Sequence, residues 1–377
     1  MMPISGVAVW LTSLAAVFAG AEDRVRLEGG GLAVEAVDYT EKTIYHSPEK
    51  PGWTSWVGLW LTVDGRLQCS FNQLTGPRDK PVASVPILES RDEAATWTRV
   101  KGDVPRGGGR GMAVLKDGTL VCPRWASDPN DAGYVERSTG GGKTWGPRVD
   151  LLPAKDYRIW PTIIRPLRDG RLVLMAGVWK RGDGTVPNPR MTKMMFVSAD
   201  QGKSWGPPIT LMPTEQGVCE ESDFCELSNG DLFWIHRVEH FPPMRTEITP
   251  GAARMGDPFP NGYSDRMQST VTRQQAGWKV GPATPAPFPH SGFPEVLMTK
   301  EGVILHLATD GIYWTADEGK TWTRLPIPGT KYYPRAVQLP SGKIVCIGHV
   351  GSDDVYGSVD QSIFQQTFRL KVRRRPA

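Results

Sequence analysis

Two side chains of complementary chemistry, Glu221 and Tyr333, stand at one offset in the chain. Each lies nine residues ahead of a glycine in a polar-Gly turn, Gly230 and Gly342 respectively. A phenol titrates near pH ~10 and is a poor nucleophile at neutral pH unless a carboxylate takes its proton. A Glu and a Tyr brought to one height can therefore work as a pair on an electrophilic carbon. The same count from four further turn glycines reaches Trp56, Gly109, Pro161 and Phe293. Neither the acid nor the phenol has an evident role in holding a strand, so the frame that carries them must be read next.

That frame is a repeat. A polar-Gly turn with an aliphatic residue two places after the Gly occurs six times: VDGRL (63–67), KDGTL (116–120), RDGRL (168–172), SNGDL (228–232), KEGVI (300–304) and SGKI (341–344). Each copy sits between apolar runs of strand length, which is a hairpin signature. Two residues beyond each Gly come Leu67, Leu120, Leu172, Leu232, Ile304 and Ile344; four beyond come Cys69, Cys122, Leu174, Trp234, His306 and Cys346. Alternate strand residues share a face, so these columns describe one mostly apolar face repeated six times.

A second string punctuates the same units. SADQGKSW (198–205) returns as TADEGKTW (315–322), as STGGGKTW (138–145), as SRDEAATW (90–97), and in a decayed form as TRQQAGW (272–278). Ser or Thr starts a turn, Asp accepts backbone N–H bonds, Gly permits positive φ and Trp packs beneath a neighbouring hairpin. Gly140 replaces the Asp in one copy, so this carboxylate belongs to the frame and not to a site. Each unit reads as strand, DG turn, strand, loop, strand, octapeptide turn, strand. The expected fold is all-β, a six-bladed β-propeller of four-stranded antiparallel sheets. The first strand of each blade lines the axis, and the residues entering those strands ring the channel mouth. The alternating run Gln361–Val372 predicts a strand that closes the ring beside residues 24–37, hiding both edges.

Bulk properties agree with a soluble domain. The chain has 377 residues, 39% hydrophobic and 22% charged, enough for one large repeat domain with an ample core. The net charge of +4 is scattered, and its one cluster, Lys371, Arg373, Arg374 and Arg375, reads as a solvated tail. No nucleic-acid partner is expected. Residues 1–21 carry an apolar run from Ile4 to Phe18 and the small residues Ala19-Gly20-Ala21, which predicts an export signal ahead of a single domain over 22–377. No later segment has the ~20 apolar residues of a membrane span. The mature chain is expected to be secreted or periplasmic, and its oligomeric state stays open. Five cysteines do not form a disulfide framework; Cys69, Cys122 and Cys346 read as buried apolar positions, and Cys219 and Cys225 are close enough in sequence to pair. His236 and His240 are four apart, but on a strand that spacing does not present both rings together, so no metal is expected there. RGGGRG (106–111) reads as the loop leading into a blade, and no phosphate loop or other cofactor signature is present. The Pro/Gly-rich stretch 238–266 is expected to fold over the mouth as part of a binding wall.

The octapeptides resemble the Asp boxes of the sialidase superfamily, six-bladed propellers that remove terminal sialic acid. Residues 221–237, ESDFCELSNGDLFWIHR, are similar to the stretch that supplies that family's catalytic Glu and one arginine of a carboxylate-binding triad. YPRAVQLPSG (333–342) resembles the segment with its tyrosine nucleophile. The resemblance implies Tyr333 as nucleophile, Glu221 as its general base and Arg237 as a ligand for the substrate carboxylate. It also implies Asp79, in the loop SFNQLTGPRDKPVAS, as acid/base, on position alone. A neutral phenol avoids the repulsion a carboxylate nucleophile would meet at the anomeric carbon of a sialic acid.

The chain also departs from that pattern. Blade one has Trp53-Thr54-Ser55-Trp56-Val57 where the family has Phe/Tyr-Arg-Ile-Pro, and YRIWP (157–161) belongs to blade three. The arginine expected before the fifth-blade octapeptide is missing from HLATDGIYW (306–314). Each lost charge-assisted bond removes ~1.5–3 kcal/mol. Arg110, Arg158 and Arg335 enter axial strands near the same height and can compensate in another geometry, with Trp56 beside them. The expectation is an exo-glycosidase acting on a terminal, acidic sugar of a glycan, without a cofactor or metal. The rival is a carbohydrate-binding propeller that kept the frame and lost catalysis.

Overall fold

The computed structural model describes residues 31–49, 52–77, 79–100, 111–125, 131–181, 191–213, 218–219, 221–240, 253–254, 263–275, 277–286, 293–350 and 360–374. Among them there is no helix, and the strands form six antiparallel sheets. The inner strands are Trp53–Leu61, Ala113–Val114, Tyr157–Pro166, Ser222–Glu226, Glu295–Met298 and Tyr332–Gln338, for blades one to six in order. The fold is the six-bladed propeller. Blade one carries an added short strand, Val82–Ser84, and blade four has the short strand Ala253–Arg254 against its third strand, Tyr263–Gln274.

The six turn glycines explain why the sequence folds this way locally. Gly65, Gly118, Gly170, Gly230, Gly302 and Gly342 all have φ between 81° and 89°, a left-handed conformation that only glycine adopts freely. Each closes the first hairpin of its blade. The octapeptide turns use the same region twice in succession, at Gln201 and Gly202 and at Glu318 and Gly319. Their Asp accepts bonds from its own turn: Ser204 N–H and Oγ donate to Asp200 at 2.9 and 2.6 Å, and Thr321 does the same to Asp317. Hydrogen bonds from Ser204, side chain first, hold the Asp200 carboxyl down at about 2. The turn then reaches to the preceding blade. Trp322 Nε1 donates to Gln268 of blade four at 2.9 Å, and Trp97 Nε1 of blade one donates to Gln365 of blade six at 2.6 Å.

The core lies between blades rather than within one layer. Buried clusters join blades two and three around Phe196, three and four around Trp234, four and five around Phe233, five and six around Phe368, and six and one around Phe71. Cys69 and Cys346 fill two of these clusters, and all five cysteines are buried thiols, so Cys219 and Cys225 are not joined. Ring closure uses blade six. The segment Leu32–His46 forms its outermost strand, paired antiparallel with Ser362–Arg374, which extends the expected partner segment 24–37 to the C-terminal side. The expected export signal, 1–21, and most of 238–266 lie outside the described residues.

Candidate active site

Glu221 sits immediately before the inner strand of blade four. Its carbonyl accepts the Arg237 N–H at 2.9 Å, which extends the hairpin ladder in which Ser222 faces His236. Arg237 in turn faces Arg266 on the third strand. One row across three strands therefore reads Glu221, Arg237, Arg266, and side chains in such a row share a face. Arg237 Nη1 lies 2.6 Å from Glu221 Oε2, and its Nη2 lies 2.6 Å from Oε1 of Glu239, two residues along the same strand.

Tyr333 comes from blade six, two blades further round the ring. It has φ 48°, at a bulge where the pairing of blade six's first two strands slips between Tyr332 and Arg335. A left-handed aromatic residue is strained by ~1–3 kcal/mol, and bulges serve to re-aim a side chain. Here the bulge sends the phenol across the axis, where its hydroxyl donates to Glu221 Oε1 at 2.7 Å. The ring lies near parallel to buried His349, with centroids 5.7 Å apart, and 6.1 Å from Phe293 of blade five. Tyr333 is only 5% exposed. Trp56, at the same offset in blade one, has φ 50° at its own bulge between Ser55 and Gly58.

The electrostatics around this pair are those of a buried, nearly balanced cluster. Burial raises the Glu239 carboxyl, with Arg237 pulling it down and Glu221 adding to the rise. Burial also depresses the Arg266 guanidinium to about 10, and the positive Arg237 beside it acts in the same direction. Neither Glu239 nor Arg266 is among the residues that sequence reasoning picks out. Glu239 is findable by strand alternation from Arg237, whereas Arg266 needs the register of a third strand that follows a long insertion.

One pleat deeper, seven residues ahead of their turn glycines, Asp223, Glu295 and Arg335 form a second charged belt. Arg165 of blade three makes a bidentate pair with Asp223 at 2.7–3.0 Å, and Asp223 also accepts the Val296 N–H of blade five. Glu295 accepts from Arg335 at 2.6 Å and from the Ala336 N–H at 2.8 Å. Burial, then the negative Asp223, lifts Glu295 to about 7. The belt stitches blades three to six around a cavity of about 60 Å³ that Arg165, Glu295 and Arg335 line.

The remaining sequence candidates have different placements. Arg335 is committed to the belt and does not stand at the mouth. Arg158 lays its guanidinium on two indoles, 4.7 Å from Trp125 and 5.4 Å from Trp179. Asp79 lies in an exposed turn between Leu67–Thr75 and Val82–Ser84, past the mouth end of blade one's second strand. Arg110 lies outside the described residues. His236 is fully buried against Trp234 at 3.7 Å, and burial holds it well below the usual histidine range. Among the described residues no group of three or more His, Cys, Asp or Glu could hold a metal ion.

A row of carboxylate and guanidinium, with a phenol hydrogen-bonded across the axis of a six-bladed propeller, defines the class of site. No protein-family model matches the chain, and no curated protein does. Solved structures do match its fold. An alpha-L-arabinanase of Penicillium chrysogenum, complexed with arabinobiose, is 17% identical over 86% of this chain and 97% of its own, with a TM-score of 0.60. A mutant alpha-L-arabinofuranosidase of Fusarium graminearum, in complex with an iminosugar inhibitor, is 15% identical over 88% and 97%, also with a TM-score of 0.60. An intramolecular trans-sialidase of Ruminococcus gnavus is 11% identical over 87% and 97%, at 0.55. At these identities the likeness establishes the architecture, shared by glycoside-cleaving propellers of two substrate types.

Proposed function

We propose that this chain is an exo-acting glycoside hydrolase that removes a terminal sugar from a glycan, with Tyr333 and Glu221 as its working pair. The observation that carries the reading is the 2.7 Å bond from the Tyr333 hydroxyl to Glu221 across the mouth. In the sialidase-like route the phenol oxygen attacks the anomeric carbon while Glu221 takes its proton. An acid, with Asp79 the candidate, protonates the leaving oxygen, and water then releases the sugar from the tyrosine. Export through residues 1–21 belongs to the same reading, since glycans of this kind lie outside the cell.

A second route is favoured by the arginines. Arg237 is bracketed by Glu221 and Glu239, and Arg335 is paired with Glu295, so a substrate carboxylate would compete with carboxylates of the protein. If the sugar is neutral, no charge at the anomeric carbon repels a carboxylate nucleophile. Glu221 can then attack the anomeric carbon directly while Tyr333 donates a hydrogen bond to it. The same candidate acid, Asp79, protonates the leaving oxygen as the glycosidic bond breaks, and water then releases the sugar from the carboxylate. The similarity to arabinan-cleaving propellers supports this neutral-sugar form.

Aryl glycosides of sialic, uronic and neutral sugars test the reading beside Tyr333→Phe and Glu221→Gln. Release that both variants abolish supports the hydrolase, and a fluorosugar adduct mapped by mass to Tyr333 or Glu221 separates the routes. Release untouched by both variants refutes the pair. Saturable sugar binding without release supports the carbohydrate-binding propeller instead.

A further inference from the structure

Three tryptophans converge at the mouth end of blades two and three, on the rim opposite Tyr333. Trp125 follows the second strand of blade two (Leu120–Arg124), seven residues past its turn glycine. His349, which stacks on Tyr333, holds that same offset in blade six. Trp160 lies in the inner strand of blade three, and Trp179 in its second strand, facing Arg158. The ring centroids of Trp125 and Trp160 are 5.6 Å apart, edge to face, and those of Trp125 and Trp179 are 6.2 Å apart.

The cluster is built tightly from below and open above. At Gly133, just ahead of blade two's third strand, a Cβ would sit 2.5 Å from the Ile159 carbonyl and 2.7 Å from Pro161 Cδ. Only glycine lets the two blades close to that distance, which fixes the Trp160 segment against the Trp125 side. Yet Trp125 stays 43% exposed, one of few large apolar side chains so open among the described residues. A stacked, guanidinium-braced indole left half in solvent is a surface waiting for a flat apolar partner with a polar edge.

We propose that Trp125, Trp160, Trp179 and Arg158 form a subsite for a neutral sugar ring, on the side of the glycan that is not cleaved. The C–H face of a pyranose or furanose stacks on indole, and the ring's hydroxyls accept from the N–H edge of Arg158, whose face is already taken by Trp125 and Trp179. Arg158 is the one charge among the four, and with two indoles on its face it offers a ligand only its N–H edge, while the open surface is indole. The proposal rests on the glycan reading of the mouth but does not require bond cleavage.

Tryptophan fluorescence titration of the full chain in a Tyr333→Phe background tests it. The probes are arabino-, xylo-, galacto- and gluco-tetrasaccharides, with sialyllactose as the acidic arm. A neutral tetrasaccharide is expected to bind saturably, and Trp125→Ala to weaken it by about tenfold or more, with Trp125→Phe recovering most of the loss. Thermal melting by circular dichroism checks that each variant is folded. Unchanged affinity in Trp125→Ala overturns the proposal, as does binding confined to sialyllactose or no binding by any neutral probe. Absence of glycoside release by the unsubstituted chain, with this binding intact, refutes only the hydrolase reading; release by that chain with Trp125 irrelevant to binding refutes only the subsite.

Discussion

The two halves of the mouth are built from different materials. Blades four to six present Glu221, Arg237, Glu239, Arg266 and Tyr333, all buried or nearly so and grouped in one charged cluster. Blades one to three present Trp56, Trp125, Trp160 and Trp179, with Arg158 lying flat on two of them. Both halves use the same repeat positions, and blades one and six even share a left-handed residue at a bulge. A single frame thus offers the same coordinates to titratable groups on one side and to indoles on the other. The first half suits moving protons and the second suits holding rings.

The strongest way to break this division is at the paired acid and phenol. Glu221→Gln or Tyr333→Phe is expected to lower turnover of a cleavable aryl glycoside by about 10²–10⁴-fold, with the fold intact by circular dichroism. Next comes Arg237→Met, which leaves Glu221 and Glu239 buried without their shared counter-charge. It should cost roughly 3–5 kcal/mol of stability in urea unfolding, whereas Arg158→Met on the aromatic side should cost far less, since the cation–π contacts it breaks are half exposed.

A third test uses pH. Glu295 is raised from 4.5 to about 7 when folded, so between those values the folded chain keeps a proton that the unfolded chain releases. Its contribution to stability is full below pH 4.5 and lost as pH rises to 7. Glu295→Gln should flatten that part of the stability profile, measured by denaturant midpoint against pH. The smallest effect belongs to the frame: Asp317→Ala should cost about 1 kcal/mol of stability through its lost turn bonds and leave glycoside release unchanged. A large loss of activity there would blur the line between frame and site.

Much of this is legible in the sequence because turns repeat by backbone necessity. Six glycines forced into positive φ mark six hairpins, and counting back from them reaches the mouth without any knowledge of tertiary contacts. The same count reaches Glu221 and Tyr333, whose meeting across the axis follows from ring closure. What the count misses are pairings set by register. Arg266 faces Arg237 only because a third strand starts at Tyr263 after a long insertion, and Arg335 finds Glu295 on the neighbouring blade rather than on its own hairpin. The Asp223–Glu295–Arg335 belt lies two residues further along the same columns, but opposite charges on different blades reveal themselves as partners only in three dimensions.

The blade that holds Tyr333 is finished by the earliest described segment of the chain, Leu32–His46, laid against the last, Ser362–Arg374. A ribosome therefore emits one edge of this blade long before the other exists. Until both have emerged, that first strand has no neighbour to zip onto, and the phenol has no settled wall behind it. Closure of the ring thus arrives last, when two distant segments find each other, and a chain cut short before the second of them leaves blade six without its outer pair of strands.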